Sequence, residues 1–187
     1  MPKTVRFITH AAVIAAIYAL LTILTQPISY GPIQFRVSEA LCVLPLLFPE
    51  SVVGLTIGCL IANIFGNGIF DIVLGTSATL IAAVGTFFVG KYIRNTAVKL
   101  VLGELAPCIA NGLIIPVVLI LSGVEIQGYF VEASFIFLSE AVCLGVLGTA
   151  LYFAVKPLMN IINGKAEPTA DVDTETSEYT EKTDDDQ

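Results

Sequence analysis

Arg36, Glu39, Asn63 and Asp71 sit in a stretch from Gln34 to Asp71 that is otherwise almost wholly apolar and rich in glycine. The local order runs Phe35-Arg36-Val37-Ser38-Glu39-Ala40-Leu41, then Leu44-Pro45, Gly54-Leu55, Gly58-Cys59, Ala62-Asn63, Asp71-Ile72 and Gly75. Further on, Asn111 and Glu140 stand alone inside long apolar runs. An ionisable side chain at the centre of a membrane helix costs about 2.5–3.5 kcal/mol, so each of these needs a partner, a cavity or a solute. Guanidinium, carboxylates and amides together can grip a polar solute by charge and hydrogen bonds. They do not make a nucleophile with its base. No H-E-x-x-H or G-x-S-x-G pattern is present. Gly85-Thr86-Phe87-Phe88-Val89-Gly90-Lys91 approaches a phosphate-binding loop, but Tyr92 stands where Ser or Thr is required. The expectation is a transport protein with no catalytic residue, no metal site and no cofactor.

Each candidate also has a plain structural reading. Glu39 after Ser38 at a helix start is ordinary capping chemistry, with Arg36 as its ion partner. Asp71 likewise opens a helix after a glycine turn. Asn63 can tie two helices together. Glu140 has no helix end beside it, so the functional reading is the stronger there. His10 is given no role. Cys42, Cys59, Cys108 and Cys143 all lie in apolar segments without a C-x-x-C pair, and read as small buried hydrophobes.

These residues must be positioned by membrane helices. The 187 residues are 56% hydrophobic and 13% charged, with mean hydropathy +0.86. Soluble domains carry about 25% charged residues. The fold class expected is all-α integral membrane, with six transmembrane helices and a short or broken second helix. The spans read as Phe7 to Gln26, Ser38 to Phe48, Pro49 to Phe65, Phe70 to Gly90, Leu100 to Leu121 and Tyr129 to Val155, with Pro157 stopping the last. The second would reach only about 16 Å as an α-helix, against a hydrocarbon core of about 30 Å. No cleavable signal peptide is expected.

The net charge of −7 belongs to a tail. Residues 166–187 hold nine acids and one lysine, a net of −8, whereas residues 1–165 hold eight bases and seven acids, a net of +1. The expected organisation is a membrane domain over residues 1–157 and a disordered, cytoplasmic acidic tail over 158–187. Six spans put both termini on one side. Lys3, Arg6, Lys91, Arg94, Lys99, Lys156 and Lys165 then share that side, which the positive-inside rule makes cytoplasmic at the cell membrane. Arg36 alone falls outside. The candidate residues Arg36, Glu39, Asn63, Asp71, Asn111 and Glu140 would converge on one outward-opening cavity, with Glu104 too near the inner end to join it.

The first span carries two alanine stripes at spacing four, Ala11, Ala15 and Ala19, and Ala12 and Ala16. Small faces let helices approach closely, either within the chain or against another membrane subunit.

The block Arg36-Val37-Ser38-Glu39-Ala40-Leu41, followed by Leu44-Pro45, Gly54-Leu55, Gly58-Cys59, Asn63, Asp71-Ile72, Gly75 and Thr79-Leu80-Ile81-Ala82-Ala83, resembles the QueT family. These are substrate-binding S components of energy-coupling factor (ECF) transporters. The resemblance covers about residues 5–157. It implies a six-helix membrane protein, embedded in lipid, that captures a micronutrient from outside. A scaffold transmembrane subunit and two ABC ATPases would supply the energy. The alanine face of the first span would dock on the scaffold. The substrate implied is a queuosine precursor, 7-cyano- or 7-aminomethyl-7-deazaguanine, with no nucleic acid as partner. Glu39 or Glu140 would read the guanine-like edge, Arg36 and Asn63 would orient the carbonyl or hold the carboxylates, and Asp71 would meet the aminomethyl group or brace the loop. Tyr30, Phe35, Phe65 and Phe70 are candidate ring partners, and the loop Ser29 to Phe35 a lid. Three rivals stand beside this: an S component for another vitamin, a proton-coupled secondary transporter using Glu39 and Glu140, and a small membrane enzyme.

Overall fold

A computed structural model describes residues 2–29, 36–66 and 68–162. Among these residues every element is helical. Helix α1 is Lys3–Ser29, α2 is a 3₁₀ helix at Val37–Leu46, and α3 is Ser51–Gly66. A π-helical turn at Asp71–Gly75 runs into Thr76–Tyr92 to make α4, and α5 is Thr96–Leu121. Helix α6 comprises Tyr129–Cys143, a second π turn at Leu144–Gly148 and Thr149–Ile162.

Four of these helices are long and apolar enough to cross a membrane: Lys3–Thr25, Asp71–Tyr92, Thr96–Leu121 and Tyr129–Met159. The segments at Val37–Leu46 and Ser51–Phe65 are shorter. Six helical segments therefore occupy the expected places, but four, not six, have spanning length. Two proline expectations change. Helix α1 runs on past Pro27 to Ser29, and α6 runs through Pro157 to Ile162. Proline removes one helical hydrogen bond, and membrane helices accept it where the freed carbonyl finds another partner. The boundary expected at residue 157 thus falls inside a helix. The rest of the acidic tail, from residue 163, lies outside the described residues, as do Tyr30, Phe35 and the supposed lid beyond Ser29.

Helix α2 is the short element the sequence marks, and it is buried from Ser38 to Leu46. Pro45 cannot donate a backbone hydrogen bond. At about 2.0 Å rise per residue its ten residues reach about 20 Å. A 3₁₀ run of this length is unusual, so its surroundings hold it. Its C-terminal end is clamped by glycine. A Cβ on Gly90 would lie 2.8 Å from Leu46 Cα, and one on Gly103 would lie 2.7 Å from Leu46 Cδ2.

Small residues also set the α1–α3 contact. A Cβ on Gly54 would sit 2.8 Å from the Ala11 carbonyl oxygen, and one on Gly58 would sit 2.7 Å from that of Ala15. Helix α5 begins at Asn95, whose side chain accepts from the backbone N–H of Ala97 at 3.0 Å and Val98 at 3.3 Å. Pro107 leaves the Gly103 carbonyl without its helical donor, and the Thr86 hydroxyl of α4 donates to it at 2.9 Å.

The core joins Tyr18, Leu41, Cys42, Leu55, Cys59 and Cys108 among others. At one end Val43, Leu46, Leu100 and Tyr152 pack together, with Val89 beside them. Lys91, Lys99 and Lys156 therefore flank that end, and Arg36 lies at the opposite end of α2. Large apolar side chains such as Ile8, Leu24, Val101, Leu138 and Val146 are 60–66% exposed. Such an outer surface suits lipid contact.

Candidate functional site

The polar residues meet around the start of α2. Ser38 and Glu39 occupy its first turn and are 0% and 1% exposed. The Tyr18 hydroxyl of α1 donates to Glu39 Oε1 at 2.7 Å, and the Cys42 thiol, one 3₁₀ turn on, donates to Oε2 at 3.1 Å. Both oxygens of Glu39 thus have partners within the protein.

Glu140 of α6 is also buried, at 6% exposed. Asn111 Nδ2 of α5 donates to its Oε1. Among the described residues its Oε2 has no hydrogen-bond partner, and neither does the Ser38 hydroxyl. A buried polar atom without a partner costs about 1–3 kcal/mol, so each of these atoms calls for a bond supplied from elsewhere.

Arg36 precedes α2 with extended backbone, and the Cys143 thiol of α6 donates to its carbonyl at 3.4 Å. Its half-buried side chain interacts electrostatically with Glu39 foremost, then Tyr18, Cys59 and Asp71. Glu140 feels both Glu39 and Arg36. The Arg36 guanidinium makes no close ion pair among the described residues.

Asn63 and Asp71 form the far side. Asn63 Nδ2 donates to the Asp71 carbonyl at 2.9 Å and lies 3.4 Å from both Thr76 Oγ1 and Cys59 Sγ. It pins the π turn of α4 to α3. Gly75 leaves room for this, because a Cβ there would sit 3.2 Å from Asn63 Nδ2 and 3.7 Å from Asp71 Oδ1. π turns frequently occur at functional sites, and the other π turn begins four residues after Glu140.

The hydrogen bonds of these residues fall into three groups, Glu39 with Tyr18 and Cys42, Asn111 with Glu140, and Asn63 with the Asp71 turn, and Arg36 interacts electrostatically with Glu39 and Asp71. Both oxygens of Glu39 have partners, while Oε2 of Glu140 has none among the described residues. Phe65 is 76% exposed and Phe70 38%, so Phe65 faces away from the cluster. Glu104 lies lower on α5, where the Thr149 hydroxyl donates to it at 2.8 Å. A shallow apolar depression of about 260 Å³, lined by Ala97, Val98, Val101 and Leu102, lies at the other end of α5 from Asn111.

The alanine stripes divide. Ala11, Ala15 and Ala19 are 5–6% exposed, and Ala11 and Ala15 lie against Gly54 and Gly58. That stripe is consumed by α3 and presents no surface to a partner. Ala12 and Ala16 face outward. Gly85 to Lys91 lies within α4, as helix and not as a phosphate loop. His10, given no role from sequence, places Nδ1 2.7 Å from Glu50 Oε1, with Phe48 against its ring. Among the described residues no cluster of three or more His, Cys, Asp or Glu could hold a metal.

Sequence reasoning missed Tyr18 and Ser38. Tyr18 is the telling one, since a tyrosine hydroxyl in an apolar span needs an acceptor at its own depth.

The family model described as QueT transporter matches residues 8–157. The chain belongs to the QueT transporter family. Family membership accords with the four helices long and apolar enough to cross a membrane. A curated relative, "Queuosine precursor transporter QueT" of Lactococcus lactis subsp. cremoris (strain MG1363), is 40% identical over 81 residues, which is 42% of this chain and 47% of the relative. The chain thus spans about half the length of the relative it matches. No solved structure matches the chain.

Proposed function

We propose that this chain is the substrate-binding S component of an ECF transporter, and that it captures a queuosine precursor of the 7-deazaguanine class from outside the cell. Six membrane segments place both termini in the cytoplasm. A scaffold subunit and two ABC ATPases energise uptake. The observation that carries the reading is the Oε2 of buried Glu140, which has no hydrogen-bond partner among the described residues. A deazaguanine presents adjacent ring and exocyclic N–H groups, which a carboxylate oxygen accepts with charge assistance. Glu140 is the reader of that edge, because both oxygens of Glu39 already have donors. Arg36 and Ser38 address the ring carbonyl, and Asn111 fixes the Glu140 carboxylate in place. Glu39 holds Arg36. Asn63 shapes the Asp71 turn.

On this reading the outward stripe of Ala12 and Ala16 meets the scaffold, since the inward stripe is occupied. The test is a calorimetric titration of the purified chain with 7-aminomethyl- and 7-cyano-7-deazaguanine, with thiamine and biotin as controls. Saturable binding of a deazaguanine alone supports the proposal. Binding of a control vitamin in its place refutes it. The two buried carboxyl groups of Glu39 and Glu140 favour a second reading, a proton-coupled carrier. Uptake by the chain alone, in vesicles with a proton gradient and no ATPase, would establish that instead.

A further inference from the structure

The corner between α4 and α5 carries positive charge with nothing to balance it. Lys91, Arg94 and Lys99 lie there, and no Asp or Glu occurs from residue 72 to residue 103. Arg94 is exposed and Lys99 half-buried, and neither forms an ion pair among the described residues. Lys91 holds Nζ 5.6 Å from the ring centroid of Tyr92, which is 69% exposed. Tyrosine gathers at the membrane–water boundary, so this corner belongs at headgroup depth. The tendency of cations to collect on one membrane face accounts for their sign, but not for what lies beside them. The first two turns of α5 form the apolar depression of about 260 Å³ lined by Ala97, Val98, Val101 and Leu102. These residues open the span Thr96–Leu121 and cover about 7.5 Å of its length. Lys99 borders the depression, because Leu102 follows it by three and residues three apart are neighbours on a helix surface. Its Cβ tilts toward the helix N-terminus, and so toward Arg94. Charge therefore stands over an apolar seat, at the depths where a lipid carries its phosphate and the upper part of its chains.

We propose that this corner is a binding site for an anionic phospholipid, with the phosphate between Arg94 and Lys99 and one acyl chain along the depression. Free phosphate would leave the apolar seat empty. A zwitterionic lipid brings its own cation beside the phosphate and leaves the protein's charge unanswered. Each Lys or Arg near an anionic lipid surface is worth roughly fivefold in binding, so Arg94 and Lys99 together give roughly 25-fold.

The experiment is native mass spectrometry of the full chain, released from micelles that hold equal amounts of phosphatidylglycerol and phosphatidylcholine with the same acyl chains. The wild type should retain phosphatidylglycerol about ten times as often as phosphatidylcholine, or more. Arg94→Gln combined with Lys99→Gln should bring the ratio near one. Val101→Phe, at a position already 65% exposed, fills the depression and should lower phosphatidylglycerol retention severalfold with both cations in place. Equal wild-type retention of the two lipids, a ratio that survives the double substitution, or retention indifferent to Val101→Phe would overturn the proposal. So would a preference that emerges only when the acids between residues 167 and 186 are replaced by their amides, since the acidic tail would then be the occupant of this corner. The wild-type ratio needs no variant, so a misfolded variant cannot mask the outcome. Deazaguanine binding by the same samples reports separately on the Glu140 site.

Discussion

Glu140→Gln should separate binding from stability, with opposite signs. In the folded chain Asn111 donates to Glu140 Oε1, and Oε2 is buried without a partner. Glutamine keeps an oxygen for Asn111 and puts an NH₂ group where the free oxygen was. Without ligand the change replaces a buried carboxyl group, whose charged form is opposed by burial and by Glu39, with a neutral amide. The empty protein should melt at the same temperature or higher. With ligand the change removes a charge-assisted hydrogen bond worth about 1.5–3 kcal/mol and turns a donor toward donors, at about 1–3 kcal/mol more. A combined loss of about 2.5–6 kcal/mol is a factor of roughly 10²–10⁴ in Kd. Calorimetry gives the affinity, and a thermal melt of the same detergent-solubilised sample gives the stability. Affinity within threefold of wild type would refute the assignment of Glu140. So would a melting temperature that falls in step with binding, since that is what a purely packing residue would do.

Ala15→Leu should lower both folded yield and binding, because Ala15 is 5% exposed and lies against Gly58; expression and melting temperature check this. Ala16→Leu, on the outward stripe, should leave binding in detergent intact and cut ATP-driven uptake with partner subunits by tenfold or more. Thr86→Val deprives the Gly103 carbonyl of its donor beside Pro107 and should cost about 1–3 kcal/mol, read as a lower melting temperature. Tyr18→Phe removes the 2.7 Å hydrogen bond to Glu39 and should cost about 1.5–3 kcal/mol of stability in a melt.

Much of this architecture is legible in the chain. The apolar runs locate the helical segments, and Pro45 with the short run from Ser38 marks the element that cannot span. The six polar residues stand out because each is costly in lipid. Their division of labour is not legible, since it depends on which oxygen meets Tyr18, Cys42 or Asn111 across helices distant in sequence. Neither π turn has a composition cue, and no propensity rule foretells a ten-residue 3₁₀ helix held by Gly90 and Gly103. The alanine stripes of α1 show the same limit. Both have spacing four, and only Gly54 and Gly58 on α3, at the same spacing, determine which one turns inward.

The central claim is that a small polar solute completes the cluster around Glu140 and Ser38. Mass spectrometry of what leaves the purified protein on denaturation tests it most directly. The account predicts a stoichiometric 7-deazaguanine base from wild-type protein and its loss from Glu140→Gln. A thiamine or biotin mass would contradict it, as would equal recovery of the base from both proteins.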